Sequence, residues 1–271
     1  MNSAFKLLIL IFSLIALSRT ASISSLLNLH GRFSRNLRSN TIYGRSSQEP
    51  NPHYLFMKIK PPKHLSVDLH DNRVLECEAG GSPPPTIHWL KDGRTIATNV
   101  NNDENAISEV YTPILGIGST KSKLFIDCFG PQDEAEYTCV AETPYQREIS
   151  KSKVVIKHVN PTQLNSLCVS TKKSIDTPAR ITMWTGNMLE NMGNDVILFC
   201  RTLGKPNPKI TWLANDELVD NNAKYQVQEN GDLLVRHIDW NDMGEYTCVA
   251  ENSVDRDSAE TFLYPVKNED D

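Results

Sequence analysis

Residues 77–89 read Cys-Glu-Ala-Gly-Gly-Ser-Pro-Pro-Pro-Thr-Ile-His-Trp, and residues 200–212 read Cys-Arg-Thr-Leu-Gly-Lys-Pro-Asn-Pro-Lys-Ile-Thr-Trp. Both stretches contain Gly-x-Pro-x-Pro-x-Ile-x-Trp, with the tryptophan 12 residues after the cysteine. Further along, residues 133–139 (Asp-Glu-Ala-Glu-Tyr-Thr-Cys) match residues 242–248 (Asp-Met-Gly-Glu-Tyr-Thr-Cys), and Val-Ala-Glu follows each. The chain therefore carries one structural unit twice.

Each part of the repeated unit has a place in an immunoglobulin-like β-sandwich. Cysteines on the second and sixth strands come from opposite sheets and pair against the tryptophan of the third strand. The tyrosine two residues before the second cysteine suits a hydroxyl-to-backbone bond that fixes the turn into that strand. We therefore predict an all-β fold of two tandem immunoglobulin-like sandwiches. The predicted disulfides are Cys77–Cys139 and Cys200–Cys248, and the predicted core residues are Trp89, Trp212, Tyr137 and Tyr246.

The first residues indicate export from the cell. Lys6 precedes an apolar run from Leu7 to Leu17, and Ala16-Leu17-Ser18 has the small residues of a cleavage site. A run of 11 residues is shorter than the roughly 20 that span a membrane, so we predict a signal peptide over residues 1–18. No later stretch is apolar enough to span a bilayer, and residues 267–271 form an acidic tail. These features predict a secreted, soluble protein without a membrane anchor.

Charge is divided unevenly along the chain. Residues 19–53 are rich in Ser and Arg and carry a net charge of +4, whereas residues 54–271, with 22 basic and 32 acidic side chains, carry −10. An acidic body argues against a nucleic-acid partner, which requires a basic surface. The basic segment lacks hydrophobic periodicity, and we predict that it is disordered or is a removable pro-segment. Binding of a heparan-type polysaccharide is an alternative role for it.

Two cysteines, Cys128 and Cys168, remain after the repeated pairs are assigned. Cysteines of secreted proteins usually pair, so we predict a Cys128–Cys168 bond that ties the linker to the first domain. Free thiols and a bond between two chains are the alternatives. The sequence has no Cys-x-x-Cys, and its seven histidines are scattered. We therefore predict neither a metal site nor a cofactor.

The repeat also sets the domain boundaries. We place the first domain at residues 54–158, a linker at 159–178 and the second domain at 179–266. The cysteine pairs are 62 and 48 residues apart, and the extra length lies near residues 99–119. This insertion is either a longer surface loop or a partner-binding loop.

Two tryptophans have no place in the sandwich cores. Strand alternation places Trp184 opposite to Ile181 and Met183, so Trp184 faces outward if Ile181 faces the core. An exposed Trp184 with Met188 nearby would be a candidate partner-binding anchor. Packing at the junction of the domains is the alternative for Trp184. Trp240 is assigned to covering a loop.

No catalytic pattern accompanies the repeat. The sequence contains no His-Glu-x-x-His and no Gly-x-Ser-x-Gly, which are the patterns of zinc proteases and serine hydrolases. Sandwich domains mostly present surfaces and loops to other molecules. We therefore predict a protein that binds another extracellular protein and is not an enzyme.

The two patterns resemble the I-set of immunoglobulin domains. A signal peptide followed by two such domains is similar to the nematode zwei-Ig (zig) family. The second domain also resembles the secreted, ecdysone-inducible insulin-binding protein of insects. The stretches that carry this last resemblance are Arg180-Ile181, Met192-Gly193, residues 230–234, residues 240–244 and residues 261–269.

The two resemblances imply two binding roles. The zwei-Ig resemblance implies a secreted factor that maintains the position of axons and neurons through a cell-surface or matrix protein. The insect resemblance implies a protein that sequesters insulin-like peptides and so antagonises insulin signalling. We rank the neural role first and keep the second as the alternative.

Overall fold

The computed structural model describes residues 53–96, 116–157 and 176–267. Several predicted segments lie outside these residues. They are the signal peptide, nearly all of the basic segment, most of the 99–119 insertion, most of the linker with Cys168, and the tail after Lys267. The described residues form seventeen strands and two short 3-10 turns, at Pro131–Asp133 and Trp240–Asp242. The strands are β1 Tyr54–Ile59, β2 His64–Val67, β3 Arg73–Ser82, β4 Thr86–Lys91, β5 Arg94–Thr95, β6 Ile117–Ile126, β7 Ala135–Glu142, β8 Arg147–Ile156, β9 Thr177–Asn191, β10 Val196–Leu198, β11 Cys200–Lys205, β12 Lys209–Ala214, β13 Glu217–Leu218, β14 Tyr225–Val227, β15 Leu233–Val235, β16 Gly244–Glu251 and β17 Arg256–Val266.

The first sandwich packs β1, β3 and β6 against a second sheet of order β2-β8-β7-β4-β5. Cys77 on β3 is bonded to Cys139 on β7, with their Cα atoms 6.5 Å apart, a usual distance for a disulfide. Trp89 is fully buried beside this bond. Its Nε1 donates to Ser122 Oγ at 3.0 Å, so the one polar atom of the ring is satisfied in the core.

The second sandwich repeats this plan. One sheet contains β10, β15 and β14, with β11 continuing the strand of β10 and pairing with β9; the other has the order β9-β17-β16-β12-β13. Cys200 is bonded to Cys248 with Cα atoms 6.4 Å apart. Trp212 is fully buried, and its Nε1 donates to the carbonyl oxygen of Gly231 at 2.9 Å.

The tyrosines close the same turn in both sandwiches. Tyr137 Oη donates to the carbonyl oxygen of Asp133 at 2.9 Å, and Tyr246 Oη donates to that of Asp242 at 3.1 Å. Burial raises the pKa of both hydroxyls above the ordinary value for tyrosine. Each hydroxyl therefore stays protonated and acts as a donor.

Strand β9 joins the two sandwiches into one sheet. On one edge it pairs antiparallel with β6 of the first sandwich, from Ile117↔Leu189 to Ser122↔Met183. On the other edge its first half pairs with β11 and its second half runs parallel to β17. The resulting sheet has the order β1-β3-β6-β9-β17-β16-β12-β13. The strand of an immunoglobulin sandwich that corresponds to β6 usually has strands of its own domain on both edges. Here β3 of the first domain lies on one edge of β6 and β9 of the second domain on the other.

Irregularities in the register of β9 accompany its pairing with three strands. Its pairing with β11 skips Thr182, and its pairing with β6 skips Gly186. Such bulges bend a strand and redirect its side chains. A Cβ atom at Gly186 would lie 2.7 Å from Ser119 Oγ and 3.1 Å from Lys121 Cε, so a larger residue at this bulge would require these two side chains to move.

The side chains of β9 are divided between two cores. Met183 belongs to the core of the first sandwich, where its Sδ accepts a hydrogen bond from the amide of Ile87 at 3.4 Å. Ile181 and Met188 belong to the core of the second sandwich. In return, Phe199 of the second sandwich packs against the first core. The two hydrophobic cores are therefore linked through side chains that cross the domain boundary.

The second sandwich contains a buried ion pair. Arg201, directly after Cys200, donates from Nε and Nη2 to the two carboxylate oxygens of Asp232 at 3.0 and 2.7 Å. The amide of Cys200 donates to the same carboxylate at 3.0 Å. Burial raises the pKa of Asp232, while Arg201 and the Cys200 amide act in the opposite direction. The pair fixes β11 to the chain ahead of β15.

Cys128 follows β6 by two residues, in the left-handed region with φ of 53°. It is buried and disulfide-bonded. Its amide donates to Asn72 Oδ1 at 2.9 Å. Because Cys168 lies outside the described residues, the pairing of these two cysteines stays a prediction.

Candidate functional site

The long sheet has one side that turns away from both cores, and we call it the junction face. Its position follows from alternation along the strands, because Ala79, Met188 and Leu263 point into the two cores and their neighbours point to the opposite side. The junction face comprises Phe56, Glu78, Gly80, Ser119, Lys121, Asn187, Phe262 and Tyr264, with Trp240 beside Tyr264.

Five of these residues form a row across five strands. The register pairs Phe56 with Gly80, Gly80 with Ser119, Ser119 with Asn187, and Asn187 with Phe262. Neighbouring strands are about 4.8 Å apart, so the row extends over roughly 19 Å. It starts in the first sandwich and ends in the second. A partner lying along it would contact both domains at once.

An aromatic cluster occupies the second-domain end of the junction face. Trp240 packs edge-on against Tyr264, with ring centroids 6.0 Å apart and an angle of 79°. Trp240 is 54% exposed, so a large part of it remains accessible beside this contact. Phe262 and Tyr264 are half-buried on β17. Partly exposed tryptophan and tyrosine rings are the residue types that most often dominate protein interfaces.

The two residues predicted as partner-binding anchors have other positions. Met188 is 1% exposed and lies in the second core, so it is not available to a partner. Trp184 is half-buried and packs against that core at the junction of the domains, with Lys123 Nζ 5.4 Å from its ring centroid. The bulges at Thr182 and Gly186 break the alternation on which the prediction for these side chains rested.

The charged groups at the junction are largely paired. Lys58 Nζ lies 2.8 Å from Glu78 Oε1, and the Glu78 side chain is almost fully buried. Arg180 Nη1 lies 2.7 Å from Asp127 Oδ2, and its guanidinium stands 4.6 Å from the ring centroid of Phe125. This second contact joins β9 to the end of β6. The first pair links two strands of the first sandwich, and only the second crosses the domain boundary.

Metal-ion sites and membrane-spanning helices were sought in the part of the chain that the structure describes. Across residues 53–96, 116–157 and 176–267, no cluster of three or more His, Cys, Asp or Glu side chains is arranged to hold a metal ion. None of the helices in the same part of the chain is long and apolar enough to cross a membrane. What the junction face offers is a broad, partly aromatic surface, which suits the recognition of a protein.

Comparison with protein families identifies both halves of the chain. The immunoglobulin I-set domain matches residues 180–264, and a second immunoglobulin-domain family matches residues 57–143. The predicted fold class, two tandem immunoglobulin-like sandwiches, is confirmed. The fold and the junction face together define the chain as an immunoglobulin-domain binding protein.

Two relatives match along most of the chain. Zwei Ig domain protein zig-4 of Caenorhabditis elegans is 33% identical over 210 residues, which are 76% of this chain and 78% of zig-4. Neural/ectodermal development factor IMP-L2 of Drosophila melanogaster is 33% identical over 218 residues, which are 80% of this chain and 78% of IMP-L2. The crystal structure of IMP-L2 superposes with a TM-score of 0.60 at 28% identity, covering 81% of this chain and 98% of that one.

The chain therefore belongs to the family of two-immunoglobulin-domain proteins that contains the zwei Ig proteins and IMP-L2. The predicted resemblance is confirmed. Membership of this family supports an extracellular protein-binding role, and the chain is not an enzyme.

Proposed function

We propose that the chain is a secreted factor that binds another extracellular protein through the junction face and so maintains the position of axons and neurons. The observation that carries the binding role is the row from Phe56 to Phe262, which crosses both sandwiches in one sheet. The neural part of the proposal is supported by the zwei Ig relatives and by IMP-L2, which is named a neural/ectodermal development factor.

A second candidate is the capture of insulin-like peptides. The resemblance of the second domain to the insect insulin-binding protein is carried in part by residues 240–244 and 261–269. These two stretches supply Trp240, Phe262 and Tyr264, the aromatic cluster of the junction face. The residues that carry the resemblance are thus those that a partner would contact. This coincidence favours insulin-like peptides as a ligand class.

Direct binding of the purified, oxidised chain to insulin-like peptides of the same organism tests the second candidate. We expect Trp240→Ala and Phe262→Lys to weaken binding by at least about thirtyfold, the loss typical of an interface hot spot. Ile149→Lys is the matched control, since Ile149 is an exposed apolar residue on β8 of the other sheet. Absence of binding across the whole panel would remove this candidate.

The neural role is tested in the animal. We expect loss of the protein after axon outgrowth to displace axons and cell bodies, and expression of the unaltered chain to restore their positions. Expression of the Phe262→Lys variant should not restore them, whereas Ile149→Lys should. Normal axon positions in animals without the protein would contradict the neural role.

A further inference from the structure

The centre of the junction face contains two polar atoms that are buried without a hydrogen-bond partner. They are Ser119 Oγ and Asn187 Oδ1, and the register places their residues directly opposite each other on β6 and β9. Ser119 is 5% exposed. A buried polar group that makes no hydrogen bond is costly to the folded protein. Such groups therefore call for an explanation other than stability.

Ser122, three residues further along the same strand, shows the usual arrangement. Its hydroxyl accepts from Trp89 Nε1 at 3.0 Å and donates to the carbonyl oxygen of Thr182 at 2.8 Å. It is as deeply buried as Ser119. The same residue type on the same strand is thus fully satisfied on the core side and unsatisfied on the junction face.

A cation lies next to the unsatisfied pair. Lys121 is on the same side of β6 as Ser119, and its Cε would be 3.1 Å from a Cβ atom at Gly186, beside Ser119 Oγ. Lys121 stands opposite Glu78 in the register, but the Glu78 carboxylate is bound to Lys58. No ion pair joins Lys121 to any residue that the structure describes.

We infer that Ser119, Asn187 and Lys121 form an anchor for a carboxylate side chain of the protein partner. This inference deepens the proposed binding role of the junction face and rests on it. The hydroxyl of Ser119, the amide nitrogen of Asn187 after a half-turn of its side chain, and the ammonium of Lys121 are three donors, and a carboxylate accepts from all of them.

The partner is thereby given a chemical description. It presents an Asp or Glu side chain flanked by apolar groups, since Phe56 lies on one side of the anchor and Phe262 on the other along the same row. A charge-assisted hydrogen bond gives orientation as well as affinity. The anchor therefore fixes where along the roughly 19 Å row the partner sits.

The stability of the full chain provides a first test that needs no partner. We expect Ser119→Ala to leave the midpoint of urea denaturation unchanged or to raise it, because no hydrogen bond is lost. Ser122→Ala, the matched control, should lower the midpoint. If Ser119→Ala lowers the midpoint as much as Ser122→Ala does, the Ser119 hydroxyl has a structural partner and the inference is overturned.

A second test measures the binding of small carboxylate probes to the anchor. N-acetyl-glutamate, added to the full chain, should shift the side-chain amide resonances of Asn187 in a saturable manner, and neutral N-acetyl-glutamine should not. Ser119→Ala and Lys121→Gln should each abolish the shift. An equal response to both probes, or a response that survives Lys121→Gln, overturns the inference.

The partner itself gives the last readout. For any insulin-like peptide that binds, Lys121→Gln should weaken binding at least tenfold. In the peptide, one acidic side chain should be the partner of Lys121. Replacing that side chain by its amide should not weaken binding to the Lys121→Gln variant any further. If the loss of affinity from each acidic replacement in the peptide adds to the loss from Lys121→Gln, the inference is overturned. If no peptide binds, the sequestration role fails, while the probe titration still decides whether the anchor exists.

Discussion

The strand that opens each sandwich is broken in the first and continuous in the second. In the first, Pro61 and Pro62 separate β1, which pairs only with β3, from β2, which pairs only with β8. Proline has no amide hydrogen and interrupts a strand where the chain crosses between sheets. In the second, β9 makes the same crossing through the bulge at Gly186 without a break. An unbroken strand keeps an edge that a neighbouring domain can pair with, and β6 pairs with it.

The largest difference we expect between the sandwiches concerns the ion pair formed by the residue directly after the first cysteine. This residue is Arg201 in the second sandwich and Glu78 in the first. Asp232→Ala would leave the buried Arg201 guanidinium without its carboxylate and should lower the free energy of unfolding by about 3–5 kcal/mol. In the first sandwich the corresponding residue, Glu78, is paired with the half-exposed Lys58. Glu78→Gln should cost only about 1 kcal/mol, because the charge it leaves unpaired is the half-exposed Lys58 ammonium, which water can solvate. Urea denaturation of both variants measures the two losses, and equal losses would contradict this ranking.

The next effect concerns Met183, a side chain of the second domain that is buried in the core of the first. Met183→Ala should lower the free energy of unfolding by about 3 kcal/mol, since a buried methionine is replaced by a cavity. Although Met183 lies on β9, hydrogen exchange should accelerate in β4 of the first sandwich, where the Ile87 amide loses its acceptor. Met57→Ala, at a partly buried position beside the same core, is the control and should cost less. Acceleration confined to the second sandwich would show that the cores are independent.

The smallest effect concerns the bulge that replaces the proline break. Gly186→Ala places a Cβ atom 2.7 Å from Ser119 Oγ and should cost about 1–2 kcal/mol through overpacking. Ser119→Ala in the same chain should restore most of that loss, because the clashing oxygen is gone. Gly193→Ala is the control: no atom lies within 4 Å of its Cβ position, and its φ of +88° makes the loss one of backbone strain. Its loss should therefore be unaffected by Ser119→Ala.

The sandwich itself could be predicted from the sequence because its determinants are local and repeated. In both units the tryptophan stands 12 residues after the first cysteine and the tyrosine two residues before the second, and these positions mark the strands that build the core. The confirmed fold class and the confirmed family follow from these positions. They require no knowledge of how the two units contact each other.

The junction could not be predicted, because pairing between domains leaves no periodic pattern in the sequence. Strand alternation placed Trp184 opposite to Ile181 and Met183, and Met188 was added as its neighbour. Bulges at Thr182 and Gly186 interrupt that alternation, and Met188 lies in the second core. Gly186 was the available signal, since a glycine inside a strand often marks a bulge or a close approach. Phe56 and Phe262 lie more than two hundred residues apart, and only the sheet brings them into one row.

Met183 fills a core on the far side of the linker from its own domain, and this has a consequence for how the molecule can be recombined. A cut between residues 158 and 176 yields one piece that lacks a core side chain and has a bare edge on β6, and another with a bare edge on β9. Linkers are usually the preferred places for exchanging domains. In this chain the linker is a poor place to separate the domains, and the two sandwiches are best transferred or fused together as one unit.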